Sequence, residues 1–127
     1  MTDQLKKYGF EKLEVYQDAR TYVKQLYILT NKFPDREKFG IVSQLQRAGI
    51  SVVSNIVEGT SRTSYKEKER FIEIAYGSLL ETYCQLQIAC DLNYIQPSDL
   101  DTIQLQIDKI VNKLSALKRS YSLNDKH

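Results

Sequence analysis

Apolar positions along the chain fall into four stretches with helical spacing, and no stretch alternates with the period of two expected of a half-buried strand. In the first, Val15, Ala19, Tyr22, Leu26 and Thr30 share a face that Val23, Tyr27 and Phe33 widen. In the last, Leu100, Ile103, Ile107, Ile110, Leu114, Leu117 and Tyr121 follow an unbroken 3-4-3-4-3-4 spacing, the seam of knobs-into-holes packing. Pro34, the GTSRTS run at 59–64 and the NYIQPS run at 93–98 separate the stretches. The pattern predicts helices over residues 11–33, 36–58, 64–92 and 98–121. Gly59 is expected as a left-handed C-terminal cap, Ser64 with Glu67 as a capping box, and Ser98 as the N-cap of the last helix ahead of Asp99 and Asp101. Short connections make sequential helices antiparallel. The expected fold is all-α, an up-down-up-down antiparallel four-helix bundle forming one domain over residues 1–127. The first nine residues and the tail from Ser122 are expected as loose ends.

Two of the helices carry more apolar surface than one core needs. On the second, Ile41, Leu45, Ala48, Val52 and Ile56 make one face. Phe39, Val42, Gly49, Ile50, Val53 and Val57 extend it to roughly 200° of the circumference, against somewhat over 100° for an ordinary surface helix. On the third, Phe71, Ala75, Leu79, Leu86 and Ala89 make a core face and Ile72, Tyr76, Leu80 and Tyr83 a flank. Self-association would bury the excess, and Gly49, Val53, Val57, Tyr76, Leu80 and Tyr83 are the candidate oligomer interface. Gly49 and Gly77, inside helices, each cost about 1 kcal/mol against alanine and suggest close helix approach, within one chain or between chains.

Through the second helix runs a polar row, Gln44, Arg47, Ser51, Asn55 and Glu58, within about 80° on the wheel. Arg47 and Glu58 lie three turns apart, too far for a direct pair. Each is expected to bond the amides and hydroxyls between them or groups on a neighbouring helix, with Glu81 and Arg70 as candidates. The plain reading is a structural network between helices that fixes register. Contact with a ligand or nucleic acid is the sharper alternative, and catalysis by Arg47, Asn55 and Glu58 a third. A second candidate site is basic. Arg62, Lys66, Lys68 and Arg70 stand beside the hydroxyls of Ser61, Thr63, Ser64 and Tyr65 at a helix start, a setting suited to phosphate. Glu67, Glu69 and Glu73 are interspersed, as on an ordinary solvated helix.

Composition narrows the function classes. Hydrophobic residues make up 42% and charged residues 27%, as in ordinary globular proteins, and the net charge of +2 is far from that of a strongly basic nucleic-acid binder. No apolar run reaches membrane-spanning length and no signal-peptide pattern opens the chain, so the cytoplasm is expected. The only histidine is His127, and Cys84 and Cys90 point in different directions on one helix. Metal, cofactor and catalytic residues are therefore expected to be absent, with the cysteines as buried or half-buried free thiols.

Taken in order, FEKLEVYQDA at the start of the first helix, Phe33-Pro34, Phe39-Gly40-Ile41, QLQRAGISVVSNIVEG, then Arg62, Ser64, Phe71 and AYGSLLE resemble the bacterial family of 23S rRNA intervening sequence proteins. The resemblance spans about residues 10–117. The family often has Trp where Tyr16 stands and Pro where Val53 stands, both packing changes. The resemblance implies a four-helix bundle assembled as a homopentamer, and a relation to the accessory protein of diversity-generating retroelements, which binds nucleic acid. It brings no catalytic residues. The reading from sequence is a non-enzymatic oligomeric scaffold or accessory factor with an RNA or DNA partner and no small-molecule substrate. The alternative is a sequence-independent nucleic-acid binder with a basic ring built from Arg62, Lys66, Lys68 and Arg70.

Overall fold

The computed structural model describes residues 8–125, and among them four α-helices and no strand are present. They are α1 (Glu14–Thr30), α2 (Ile41–Ser61), α3 (Tyr65–Asp91) and α4 (Pro97–Asp125), with 3-10 turns at Gly9–Lys12 and Asp35–Glu37. No helix among the described residues is long and apolar enough to cross a membrane.

The helices begin and end where local chemistry dictates, in several places differently from the pattern reading. α1 stops at Thr30, since the chain tightens into bonds from Lys32 N to Leu29 O and Phe33 N to Thr30 O before Pro34. α2 starts only at Ile41, because residues 35–37 form a 3-10 turn. Gly59 is not a left-handed cap. It is helical and buried, and a Cβ there would lie 3.3 Å from both the Lys68 carbonyl oxygen and Phe71 Cβ, so glycine serves close packing of α2 on α3. The left-handed residue is Asn93 (φ 63°), which ends α3. Tyr94 N donates to Ala89 O and Asn93 N to Cys90 O, the two bonds of a Schellman motif. Ser64 caps α3 as expected by accepting from Glu67 N at 3.1 Å. Ser98 is not the cap of α4. Pro97 takes the first helical position, where its missing N–H costs nothing, and the Asp99 carboxylate accepts from Gln96 N at 2.9 Å. At the ends, Gly9 lies in the first 3-10 turn and α4 continues past Ser122 to Asp125. Residues 1–7 and 126–127 lie outside the described part.

Each helix packs on its sequence neighbour, and α4 returns to α1. As residue numbers rise along one member of each pair they fall along the other. Leu26 meets Gly49 and Thr30 bonds Gln46; Ser51 bonds Ser78 and Gln44 bonds Gln85; Lys32 bonds Asp99 while Asp18 holds Lys113. Tyr22, Leu26, Leu45, Val52, Ile56, Ile72, Leu79, Leu86, Ile110 and Leu114 fill the interior. Each large aliphatic side chain so buried contributes about 1.5–3 kcal/mol. On α3 it is Ile72 that is buried and Phe71 that lies on the flank, the reverse of the expectation.

Candidate functional site

The polar row on α2 meets α3 along a shallow groove, where it divides into parts. In the middle, Ser51 Oγ and Ser78 Oγ are 2.9 Å apart, and Asn55 Nδ2 donates to the Ser51 carbonyl oxygen at 2.8 Å and to its hydroxyl at 3.0 Å. Towards the start of α2, Gln85 Nε2 donates to Gln44 Oε1 and to Glu81 Oε2. Small residues allow this: Ala48 and the two serines leave a depression of about 250 Å³, lined by Gln44, Arg47, Ala48, Ser51, Ser78 and Glu81.

Two members of the row stand apart from that network. Glu58 turns along its own helix and pairs with Arg62 at 2.6 Å, an exposed i,i+4 ion pair worth little. Arg47 has neither a hydrogen-bond nor an ion-pair partner among the described residues. The arrangement links α2 to α3 through side-chain hydrogen bonds. The serine hydroxyls bond each other, and the described residues at the groove supply no imidazole to act on them. Arg47, Asn55 and Glu58 do not converge on a common point, since Asn55 is spent on Ser51 and Glu58 on Arg62.

The four basic residues are unequal. Lys68 Nζ donates to the Thr60 carbonyl oxygen at 2.9 Å, where it satisfies the end of α2 rather than facing a ligand. Arg62 lies over the Phe71 ring at 4.6 Å while holding Glu58. Arg70 approaches the same ring at 5.8 Å and Glu67 at 3.8 Å. Lys66 alone of the four is exposed with no partner among the described residues. Aromatic rings give Arg62 and Arg70 a resting place that the charge pattern did not reveal.

The six candidate interface residues fall in different places. Gly49 is buried inside the protomer. A Cβ there would sit 2.6 Å from Leu26 Cδ1, so its close approach is to α1 of the same chain. Val57 lines a hollow with Phe10, Leu13 and Tyr121, and Val53 and Tyr83 are half-buried against the core. Tyr76 lines a hollow with Leu114 and Lys118 of α4, and it and Leu80 are about two-fifths exposed. Phe39, expected to widen α2, precedes that helix and is 89% exposed. Cys90 is half-buried and Cys84 exposed, both free. Three polar partners escaped the sequence reading. Thr82, whose hydroxyl lies 2.6 Å from that of Tyr22, and Gln85 carry no local signal. Ser78 differs only in being a small polar residue at helical spacing from the core face.

No curated protein matches the sequence. Among solved structures, the fold is similar to a protein of unknown function from the S23 ribosomal protein family of Bacteroides thetaiotaomicron. The TM-score is 0.75, over 82% of this chain and 97% of that one. At 20% identity this likeness speaks for the fold alone. The sequence itself is more specific. The family profile described as 23S rRNA-intervening sequence protein matches residues 11–116, from before α1 to well into α4, and the chain belongs to that family.

Proposed function

We propose that the protein is a non-enzymatic, cytoplasmic scaffold or accessory factor, an up-down-up-down antiparallel four-helix bundle that works as an assembly of identical copies. One observation carries this reading. Helices already buried on one side leave Ile50, Ile74, Tyr76, Leu80 and Ile88 about two-fifths to one-half exposed on α2 and α3. Burying a large apolar side chain is worth about 1.5–3 kcal/mol, so a handful of them suffices to drive association. The family resemblance supplies five as the number of copies. No small molecule, metal or cofactor enters the reading.

Light scattering on the purified protein tests it. The expected mass is that of five copies of the 14.8 kDa protomer. A mass of one protomer at micromolar concentration overturns the assembly.

A second reading, sequence-independent binding of RNA or DNA, is favoured by the placement of Arg62 and Arg70 against one ring, Phe71, with Lys66 free on the same helix as Arg70. Their ion pairs are exposed and exchangeable for phosphate, and repetition around an assembly would add avidity. Lys68, held by Thr60, contributes least. Binding of single-stranded RNA that weakens steeply with salt supports this reading, and absence of binding at low salt removes it.

A further inference from the structure

We infer that the face of α2 and α3 turned away from the core is covered by a second copy of this chain, with Arg47 of one copy paired to Glu81 of its neighbour. The inference rests on the assembly proposed above and names the surface that makes it.

Two seams of equal spacing run along α3. Ile72, Ala75, Leu79, Thr82, Leu86 and Ala89 are buried in the core. Two positions beyond five of these, hence about 200° round the helix, Ile74, Gly77, Glu81, Cys84 and Ile88 repeat the same 3-4 spacing on the solvent side. A seam of that period is matched by another helix. Ile74 and Ile88 are 39% and 45% exposed, and Ile50 on the outward side of α2 is 46% exposed. Tyr76, which shares a hollow with Leu114 and Lys118 of α4, borders this strip rather than forms it.

Gly77 lies near the middle of α3. A Cβ built on it meets nothing within 4 Å, so no contact inside the protomer uses its missing side chain. Gly49 and Gly59, by contrast, are each filled against a neighbouring helix. A neighbouring copy lying across α3 at Gly77 takes up that free space.

Charge selects the occupant. Arg47 and Glu81 line the same α2–α3 depression yet form no ion pair with each other. Arg47 has no partner among the described residues, and the Glu81 carboxylate receives only the Gln85 amide. An uncommitted charge of each sign on every copy lets Arg47 of one meet Glu81 of the next around a ring of identical copies. A nucleic acid would be repelled by Glu81 on the same surface.

Light scattering on wild type, Arg47→Glu, Glu81→Arg and the double reversal tests this, with circular dichroism to verify that each remains helical. The expectation is an assembled wild type, a smaller mass for each single variant and recovery of the wild-type mass in the double variant. Cys84 provides a second readout. A thiol reagent should modify it at least tenfold more slowly in the assembled wild type than in Arg47→Glu. An assembled wild type whose mass and Cys84 reactivity ignore both single changes overturns this surface and leaves the assembly standing. Single variants that dissociate without rescue in the double overturn the Arg47–Glu81 pairing. A monomeric wild type overturns both the surface and the assembly.

Discussion

The hydroxyls of Tyr22 on α1 and Thr82 on α3 lie 2.6 Å apart, both side chains fully buried, and so join two helices diagonally across the core. Thr82 in turn donates to the Leu79 carbonyl oxygen, so the phenol is the donor in the diagonal bond. An otherwise apolar interior thus contains a polar link that is fully satisfied and compatible with only one register of α1 against α3.

Tyr22→Phe leaves Thr82 bonded to Leu79 and is expected to cost about 1 kcal/mol. Thr82→Val strands the phenol without an acceptor and should cost about 1–3 kcal/mol. Because the two residues share one bond, the double variant should lose less than the sum of the singles. Urea unfolding of the four proteins measures this, and strict additivity would refute the diagonal bond.

Alkaline pH probes the same residue. Burial pushes the Tyr22 phenol far above its ordinary value of 10.0. The hydrogen bond to Glu37 raises Tyr94, burial raises Tyr121, and the hydrogen bond to Asp18 raises Lys113. All four hold their protons more tightly folded than unfolded. Their contribution is therefore complete below about pH 9 and declines as pH climbs past the unfolded values near 10. Thermal unfolding from pH 8 to 11 should show this decline, with a shallower slope in Tyr22→Phe.

Asp99 behaves in the opposite sense. Its bond from Gln96 N, and then Lys32, hold its carboxyl below the ordinary 3.8. Its contribution is present above that value and fades as pH falls through the lowered one. Asp99→Asn should cost about 0.5–1 kcal/mol at pH 7 and much less at pH 2, so the melting curves of the two proteins should converge in acid. Curves that stay apart at pH 2 would assign the effect to packing instead.

The three helical glycines separate cleanly. Gly49→Ala must displace the fully buried Leu26 and should destabilise by about 1–2 kcal/mol despite the better helix former. Gly77→Ala has open space around it within the protomer and should raise protomer stability by up to about 1 kcal/mol. Gly59→Ala, pressed against the Lys68 carbonyl oxygen, should resemble Gly49→Ala. Denaturant midpoints for the three decide the order.

Periodicity located the four helices and the α4 seam, where Ile103, Ile107, Ile110 and Leu114 are buried as their spacing predicts. It failed where two adjacent positions compete for one face, as with Phe71 and Ile72, because a wheel drawn at 100° steps cannot distinguish a core edge from a flank. It also failed at Gly59, where a glycine suited to ending a helix instead packs inside one. The polar row was legible as a stripe on α2, and two of its members, Ser51 and Gln44, bond Ser78 and Gln85 on α3. Its outer members were not. Whether Glu58 reaches Arg62, or Arg47 reaches nothing, depends on rotamers and on which helix lies alongside. The basic positions were likewise visible as charges, while the partners that hold Lys68 and Arg62 became visible only in three dimensions.

The Lys68 bond to Thr60 and the burial of Gly59 also bear on the order in which the chain organises itself. Only residues 62–64 join α2 to α3, so closing this hairpin costs little chain entropy. Gly59, Lys68 and Phe71 then latch its closed end within a few residues of the turn. The α2–α3 hairpin is accordingly the expected nucleus, with α1 and α4 docking afterwards. Substitutions at Ile56 and Ile72 should slow refolding, whereas those at Val15 and Ile103 should mainly speed unfolding, a division that stopped-flow chevrons resolve.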